Sequence, residues 1–484
     1  VFPALRFDPR PPGTSFYQPP QALRMSQVSP PAVPSNLENL AFWPVTHLSQ
    51  LLRSRQITSL DLTKMYLERL RRFNPQLMCV VTLTEELALD QASRADKEIA
   101  SGDHRGPLHG IPWGAKDLLA TRRYKTTWGA MPYMDQTLDA DATVVRRLEK
   151  AGAVMLAKLT LGALAMGDVW FGGKTRNPWN LKQGSSGSSA GSASATSAGL
   201  VAFSIGTETR GSIISPSTRC GVTGLRPTFG RVSRHGAMAL SWSMDKIGPI
   251  CRSVEDCALV FDAIYGPDGK DTSVVDLPFN WDSSFDPRLL KIGYVESAFK
   301  ATRDDEAARE NDQRTLTKLR SLGFTLIPFE LPNYPIEALS FILTAEAAAA
   351  FDDLTRSNQD DMLVRQGKTA WPNRLRQARL IPAVEYIQAN RIRTQVMQTM
   401  HKLISKIDVF VAPSLEGSTL PLTNLTGHPC VVVPNGLNKE GSPTSISFVG
   451  HLFGEEKTLS VAKAYQDATE HHLKYPPVFQ TSDG

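Results

Sequence analysis

Residues 184–199 read Gly-Ser-Ser-Gly-Ser-Ser-Ala-Gly-Ser-Ala-Ser-Ala-Thr-Ser-Ala-Gly, a run of hydroxyls without a single charge. A serine hydroxyl becomes a nucleophile when a neighbouring base takes its proton. By composition the same run is a flexible linker. It lies, however, between a Pro178-Trp179 turn and the apolar stretch Leu200 to Ile205, so a packed Gly/Ser loop is expected. Three motif look-alikes fail. Gly187-Ser188-Ser189-Ala190-Gly191 fits G-x-S-x-G, but a nucleophile elbow needs a strand before it, and Asn180-Leu181-Lys182-Gln183 does not read as one. Gly167 to Thr175 has five spacers where a phosphate loop has four, with bulky Trp170 and Phe171 inside. Ser243-Met244-Asp245-Lys246 fits S-x-x-K without the K-T-G that would complete a penicillin-binding site. Five scattered cysteines (Cys79, Cys220, Cys251, Cys257, Cys430) form no CxxC pair, and nine histidines include no HExxH. Neither a zinc site nor a disulfide framework is indicated, and the thiols read as small buried hydrophobes.

The surrounding elements are regular from about residue 45. Thr58 with Asp61 predicts a helix N-cap, followed by Leu62, Met65, Tyr66, Arg69 and Leu70 at helical spacing. Helices are expected over 84–101, 141–151, 304–322 and 382–406. Short apolar runs at 153–157, 200–205, 290–295, 324–328, 409–412 and 430–434 predict buried strands. Strands alternating with helices predict an α/β fold, a mixed central sheet covered by helices on both faces. No repeat or linker divides residues 39–484, so one large domain is expected there. Residues 1–38 differ: nine of the 33 prolines predict an extended arm, with Phe2, Phe7, Phe16 and Tyr17 packing it along a surface.

Composition narrows the function. With 53 Lys+Arg against 48 Asp+Glu, the net charge of +5 is spread thinly, and no basic run exceeds two residues. A nucleic-acid surface is not expected. Hydrophobic residues at 41% and charged residues at 21% suit a protein burying a sizeable core, and no apolar run is long enough to span a membrane. The sequence opens on Val1 and not on methionine, so removal of some N-terminal residues is expected, whether or not they formed a signal peptide, and the compartment, cytoplasmic or exported, stays open.

Three ordered blocks then carry a resemblance: Gly110-Ile111-Pro112-Trp113-Gly114-Ala115-Lys116-Asp117, the Gly/Ser run, and Gly206-Thr207-Glu208-Thr209-Arg210-Gly211-Ser212-Ile213. With Thr175-Arg176-Asn177-Pro178-Trp179, Asp245-Lys246-Ile247-Gly248-Pro249 and Thr426-Gly427-His428-Pro429, the chain resembles the amidase signature family over about residues 45–470. That resemblance implies a Ser–Ser–Lys triad, with Ser212 as nucleophile, Ser188 as bridging serine and Lys116 as base. It also implies a cis Gly187–Ser188 peptide, and an oxyanion hole from the backbone of Thr209, Arg210, Gly211 and Ser212. No metal and no organic cofactor is expected.

Lysine chemistry sets a condition on this arrangement. Acting as a base near pH 7–8 requires a pKa near 10.4 to fall by roughly 3, about 4 kcal/mol, which desolvation supplies. The small and apolar residues before Lys116 suit a buried strand end. Ser188 could relay the proton, since a hydroxyl donates and accepts at once.

Three departures from the family pattern stand out: Arg210 for glycine, Ile214 for arginine and Glu208 for aspartate. The expected function is a stand-alone serine hydrolase of amide or carbamate C–N bonds, with esterase side activity. Trp113, Met166, Trp170 and Phe171 near the blocks predict aryl or apolar substrates. Two alternatives remain: the glutaminase subunit of a transfer-RNA-dependent amidotransferase, which shares the three blocks, and an inactive scaffold. The expected partners are the small-molecule substrate and a second copy of the chain in a homodimer. Segment 330–400, with Ala347 to Ala350 helical and Trp371-Pro372 in a loop, is expected to cover the pocket.

Overall fold

The computed structural model describes residues 7–480 apart from 12, 15, 17, 30 and 31. The expectations on Phe2, Pro12, Tyr17, Pro30 and Pro31 lie outside the described residues. Eleven strands form one mixed sheet: β1 (Val80–Leu83), β2 (Pro112–Lys116), β3 (Val154–Leu159), β4 (Phe203–Glu208), β5 (Thr223–Arg226), β6 (Lys246–Cys251), β7 (Ile292–Val295), β8 (Leu326–Phe329), β9 (Val409–Pro413), β10 (Cys430–Leu437) and β11 (Pro443–Gly450). Their spatial order is β1-β3-β2-β4-β6-β5-β10-β11-β9-β7-β8. At its site-bearing end, β2 lies parallel between β3 and β4, with Trp113 opposite Phe203 and Ala115 opposite Ile205. Strands buried on both faces are nearly continuous in apolar or small residues, as parallel strands covered by helices must be. The predicted α/β class and the single large domain are what the fold displays.

Local rules account for the helices. Thr58 accepts the N–H of Asp61 at 3.0 Å and caps the helix Ser59–Leu77, as its spacing predicts. The expected helices at 84–101, 141–151, 304–322 and 382–406 are observed as Glu85–Ser101, Thr143–Lys150, Glu306–Ser321 and Ala383–Ile404.

Three local expectations are corrected. The Gly/Ser run is not loop throughout: Ala190–Ser197 is a helix, every residue of it buried. Its small side chains permit close packing, and a Cβ on Gly191 would lie 2.4 Å from both Cys79 O and Thr160 N. The strand predicted at 200–205 starts at Phe203 and continues to Glu208, because Leu200 to Ala202 close the turn after Gly199, whose φ is +65°. Trp371-Pro372 opens a helix, Trp371–Ala378, instead of lying in a loop, since proline in the first turn has no N–H to waste.

The described residues of the N-terminal stretch contain no helix before Leu37. Phe7 meets Phe229 edge-on at 5.1 Å, and Phe16 meets Phe453 at 5.1 Å. Arg24 donates its N–H to Trp281 O at 2.9 Å and accepts from the Ser283 N–H at 3.0 Å. All five cysteines are buried and free. Among the described residues no helix is long and apolar enough to cross a membrane.

Candidate active site

Parallel neighbours β2 and β4 end at the same edge of the sheet, and that edge collects the polar groups of the site. In open α/β sheets, ligand crevices form beyond the carboxyl ends of such strands. Lys116 is the last residue of β2 and is fully buried. Ser188 and Ser189 directly precede the helix Ala190–Ser197, and the Gly187–Ser188 peptide is cis. Residues 209–213 form the turn from β4 into the helix Ile214–Cys220.

The lysine amine sits among hydroxyls. Lys116 Nζ lies 2.9 Å from Ser188 Oγ, 3.0 Å from Ser189 Oγ and 2.8 Å from Thr207 Oγ1. Ser189 Oγ donates its own proton to Thr207 O at 3.1 Å and accepts the Thr207 N–H at 3.1 Å. It is therefore limited to accepting from Lys116. A neutral amine has two N–H donors and one lone pair. When the neutral amine donates to Ser189 and Thr207, its lone pair is free to accept the Ser188 hydroxyl proton. Burial lowers the Lys116 pKa to about 7, although Asp245 and Glu208 pull it upward. The neutral form of the amine is thus accessible near neutral pH.

The turn that follows β4 is held from beneath. Glu208 Oε2 accepts the N–H groups of Ile213 and Ile214 at 2.8 and 2.9 Å. Its Oε1 meets Arg226 at 2.8 Å and Asn424 Nδ2 at 2.7 Å, all without solvent. Burial alone would raise this carboxyl, but Arg226, the Ile214 N–H and Asn424 hold it below its usual range. Asp245 secures the other side, accepting from Thr209 Oγ1 at 2.7 Å and from the N–H groups of Leu240 and Ser241. Gly211 has φ +113°, a conformation that L side chains rarely adopt. Ser189 N–H donates to Ser212 O at 3.2 Å, tying the turn to the Gly/Ser run. Among the described residues, the N–H groups of Arg210, Gly211 and Ser212 donate to no protein acceptor, and the Ser188 and Ser212 hydroxyls share no hydrogen bond.

Ser212 is half-buried and opens into a cleft of about 630 Å³, lined by Met166, Gly187, Thr209, Arg210, Leu240 and residues from 340–381. A second hollow of about 480 Å³ shares Ala165, Thr209 and Leu240 with it and is walled by Trp128, Met238, Trp242, Ile247 and Phe351. Of the four residues expected to bind substrate, Met166 lines the cleft. Trp113 lies in the sheet, stacked 6.1 Å from Phe203, and Trp170 packs edge-on against Phe171 at 4.8 Å. None of these three lines either hollow, because the sheet and a short hairpin absorb their rings. Arg210, which lines the cleft, forms an ion pair with Glu337. Ile214 is buried in the core.

Several site groups escape the motif blocks or hide inside them. Ser189 and Thr207 belong to the quoted blocks, but only their contacts reveal that they orient the lysine. Ser340, Thr344, Trp371 and Arg374 come from segment 330–400, which was expected to cover the pocket, but no motif singles out these side chains. Asn180–Gly184 is in fact a short strand, so the G-x-S-x-G match does have a strand before it. A nucleophile elbow is excluded instead by Ser189, the central serine, which is fully buried.

Comparison with known proteins agrees with this architecture. The Amidase family model matches residues 61–423. A glutamyl-tRNA(Gln) amidotransferase subunit from Roseiflexus castenholzii is 34% identical, covering 90% of this chain and 97% of that protein. The corresponding subunit from Moorella thermoacetica is 32% identical, covering 89% of this chain and 97% of its own. The native peptide amidase of Stenotrophomonas maltophilia is 30% identical, with a TM-score of 0.80, covering 92% of this chain and all of that one. A bacterial aryl acylamidase at 21% identity, with a TM-score of 0.79, shares the fold. The chain belongs to the amidase family and is an enzyme acting on C–N bonds.

Proposed function

We propose that this member of the amidase family is a self-sufficient hydrolase of apolar or aryl amides, with Ser212 as nucleophile, Ser188 as relay and Lys116 as base. The observation that carries the reading is the buried Lys116 amine. Its pKa falls to about 7, and its nitrogen lies 2.9 Å from Ser188 Oγ, beside the cleft that Ser212 lines. Ser212 Oγ attacks the carbonyl carbon while its proton passes to Ser188 Oγ and the Ser188 proton passes to Lys116 Nζ. Catalytic hydrogen bonds of this kind commonly tighten when substrate is in place. The unpartnered N–H groups between Arg210 and Ser212 receive the oxyanion, each such donor being worth on the order of 10²–10³ in rate. The C–N bond then breaks, and the amine leaves with the proton returned through Ser188. Water, deprotonated along the same path, releases the acyl group. The apolar hollow beside Thr209 suits an aryl or alkyl group on the substrate, and the same geometry accepts carbamates.

A second reading is favoured by the curated relatives named above, which are subunits of glutamyl-tRNA(Gln) amidotransferase. In that reading the chain releases ammonia from glutamine and works with protein partners. The peptide amidase, 30% identical and alike in fold, is in keeping with the self-sufficient reading. Hydrolysis of aryl amides, an aryl carbamate, a primary amide and glutamine, without partner proteins, separates them. Aryl amide turnover lost in Ser212→Ala supports the proposal. Turnover of glutamine alone, or none without partners, supports the second reading.

A further inference from the structure

A proton arriving at Lys116 creates a cation inside the fold, and a cation there needs a fixed negative charge nearby. Two carboxylates act on the amine, Asp245 more strongly and Glu208 less. Glu208 is already neutralised, because Arg226 meets it at 2.8 Å with both side chains closed to solvent. Asp245 differs. It is half-buried at the wall of the apolar hollow, and among the described residues no cation touches it. Its oxygens accept from Thr209 Oγ1 at 2.7 Å and from the N–H groups of Leu240 and Ser241 at 2.8 and 2.9 Å. Three donors and no acceptor are what an ionised carboxylate takes. The cations around it are engaged elsewhere. Arg234 is held by Asp271 at 3.0 Å. Lys246 turns its amine to Met244 O, and burial holds that amine well below the usual lysine range. Sheet register sets the placement: Lys246 on β6 pairs with Glu208 on β4, so Asp245 stands level with Thr209. On its other side β4 adjoins β2, which ends at Lys116.

We propose that Asp245 is the countercharge of Lys116, steadying the Thr209 turn and stabilising the ammonium ion formed when the proton reaches Nζ. This rests on the proposal that Lys116 is the base. Asp245 gives up no proton and receives none; the proton still runs from Ser212 through Ser188 to Nζ and returns to the leaving amine by the same path. Asp245 is thus a positioning residue that acts through Lys116 and Thr209. Burial opposes the charged amine and the Asp245 charge favours it, so the balance between them sets how strong a base Lys116 is.

Substitution separates the charge from the hydrogen bonds. Asp245→Asn removes the charge and keeps the shape, Thr209→Val removes one hydrogen bond and keeps the charge, and Asp245→Glu keeps the charge on a longer arm. In Asp245→Asn the inflection of kcat/KM should move from about 7 to lower pH by at least about half a pH unit. The plateau above it should fall by roughly 10-fold, carried by kcat. Thr209→Val should lose rate with the inflection in place, and Asp245→Glu should bring the inflection back toward its original position. The titration of Lys116 is read separately from the ε-carbon resonance of isotope-labelled lysine in Ser212→Ala, identified by its loss in Lys116→Ala. That titration should move down with Asp245→Asn as well. Asp245→Ser is a second neutral variant in case the amide does not fold. A lysine titration that stays in place in the neutral variants overturns the inference. A lysine titration that moves while the kcat/KM profile does not would leave the countercharge standing and sink Lys116 as the base.

Discussion

Lys116 concentrates the residue-scale consequences. A base must start neutral, so kcat/KM is expected to rise with pH through about 7 and level off above it. Lys116→Ala should lose at least about 10²-fold in rate together with that inflection; an unchanged pH profile in the variant would remove lysine from the mechanism. The same burial has a stability signature. The folded state holds the amine at a pKa of about 7, below its unfolded value, so the unfolded chain binds more protons between roughly pH 7 and 10. Stability from this group therefore increases with pH across that window, and its full penalty is felt below it. Glu208 is the second residue with a sharp consequence. Glu208→Gln leaves Arg226 buried without its anion, which should cost about 3–5 kcal/mol, read as a fall in Tm, along with slower turnover from a loosened turn. At this scale the sequence was legible where chemistry is local. Lys116, Ser188 and Ser212 stand in ordered blocks, and the structure brings Lys116 and Ser188 to 2.9 Å. The orientation of the lysine lone pair was not legible, because it depends on which atoms Ser189 and Thr207 use among themselves.

The elements divide into those that hold the site and those that cover it. β2, β4 and the helices after Ser189 and Ile213 hold it; an apolar run announced β4, three residues early, and the small and apolar residues before Lys116 suited the buried end of β2. β1, β5, β6 and β11 were not announced. Gly224 and Pro249 interrupt the apolar pattern of β5 and β6, Thr444, Ser445 and Ser447 that of β11, and Pro249 sits mid-strand opposite Ile205, where proline is unexpected. The cover is built from Phe341–Ala350, Trp371–Ala378 and Ala383–Ile404. Glu346 fastens it to the loop before β6, accepting from Ser241 Oγ, Ser243 Oγ and Tyr386 Oη at 2.6, 2.7 and 2.7 Å. No periodicity in 330–400 could reveal this, since Ser241 and Ser243 lie about a hundred residues away. The Arg210–Glu337 pair also reaches from site to cover, but both side chains are solvated, and such pairs contribute at most about 1 kcal/mol. Arg210→Gly should therefore barely move Tm, while widening the cleft mouth toward bulkier amides. A large loss of Tm in that variant would show that the pair braces the cover.

At the scale of the whole chain, the N-terminal stretch and the burial of the thiols have separate consequences. Phe7 lies under the Arg393 guanidinium at 3.6 Å and against Phe229, yet no described residue before 165 lines the cleft. Removing residues 1–34 should lower Tm by several degrees and leave kcat within about twofold, since packing is lost and the chemistry is untouched. The thiols offer something different. Burial pushes Cys79 up to about 12 and Cys430 up to about 11, so the reactive thiolate is scarce as well as inaccessible. An aromatic disulfide reagent in the assay buffer should consequently go unconsumed for as long as the native fold persists. On adding denaturant it should be consumed to five equivalents per chain. The slow colour change in native buffer becomes a stopwatch for spontaneous opening, with a hand on each of five separate places along the chain. Which cysteine is labelled first, read by peptide mass, would tell which part of the sheet lets go earliest.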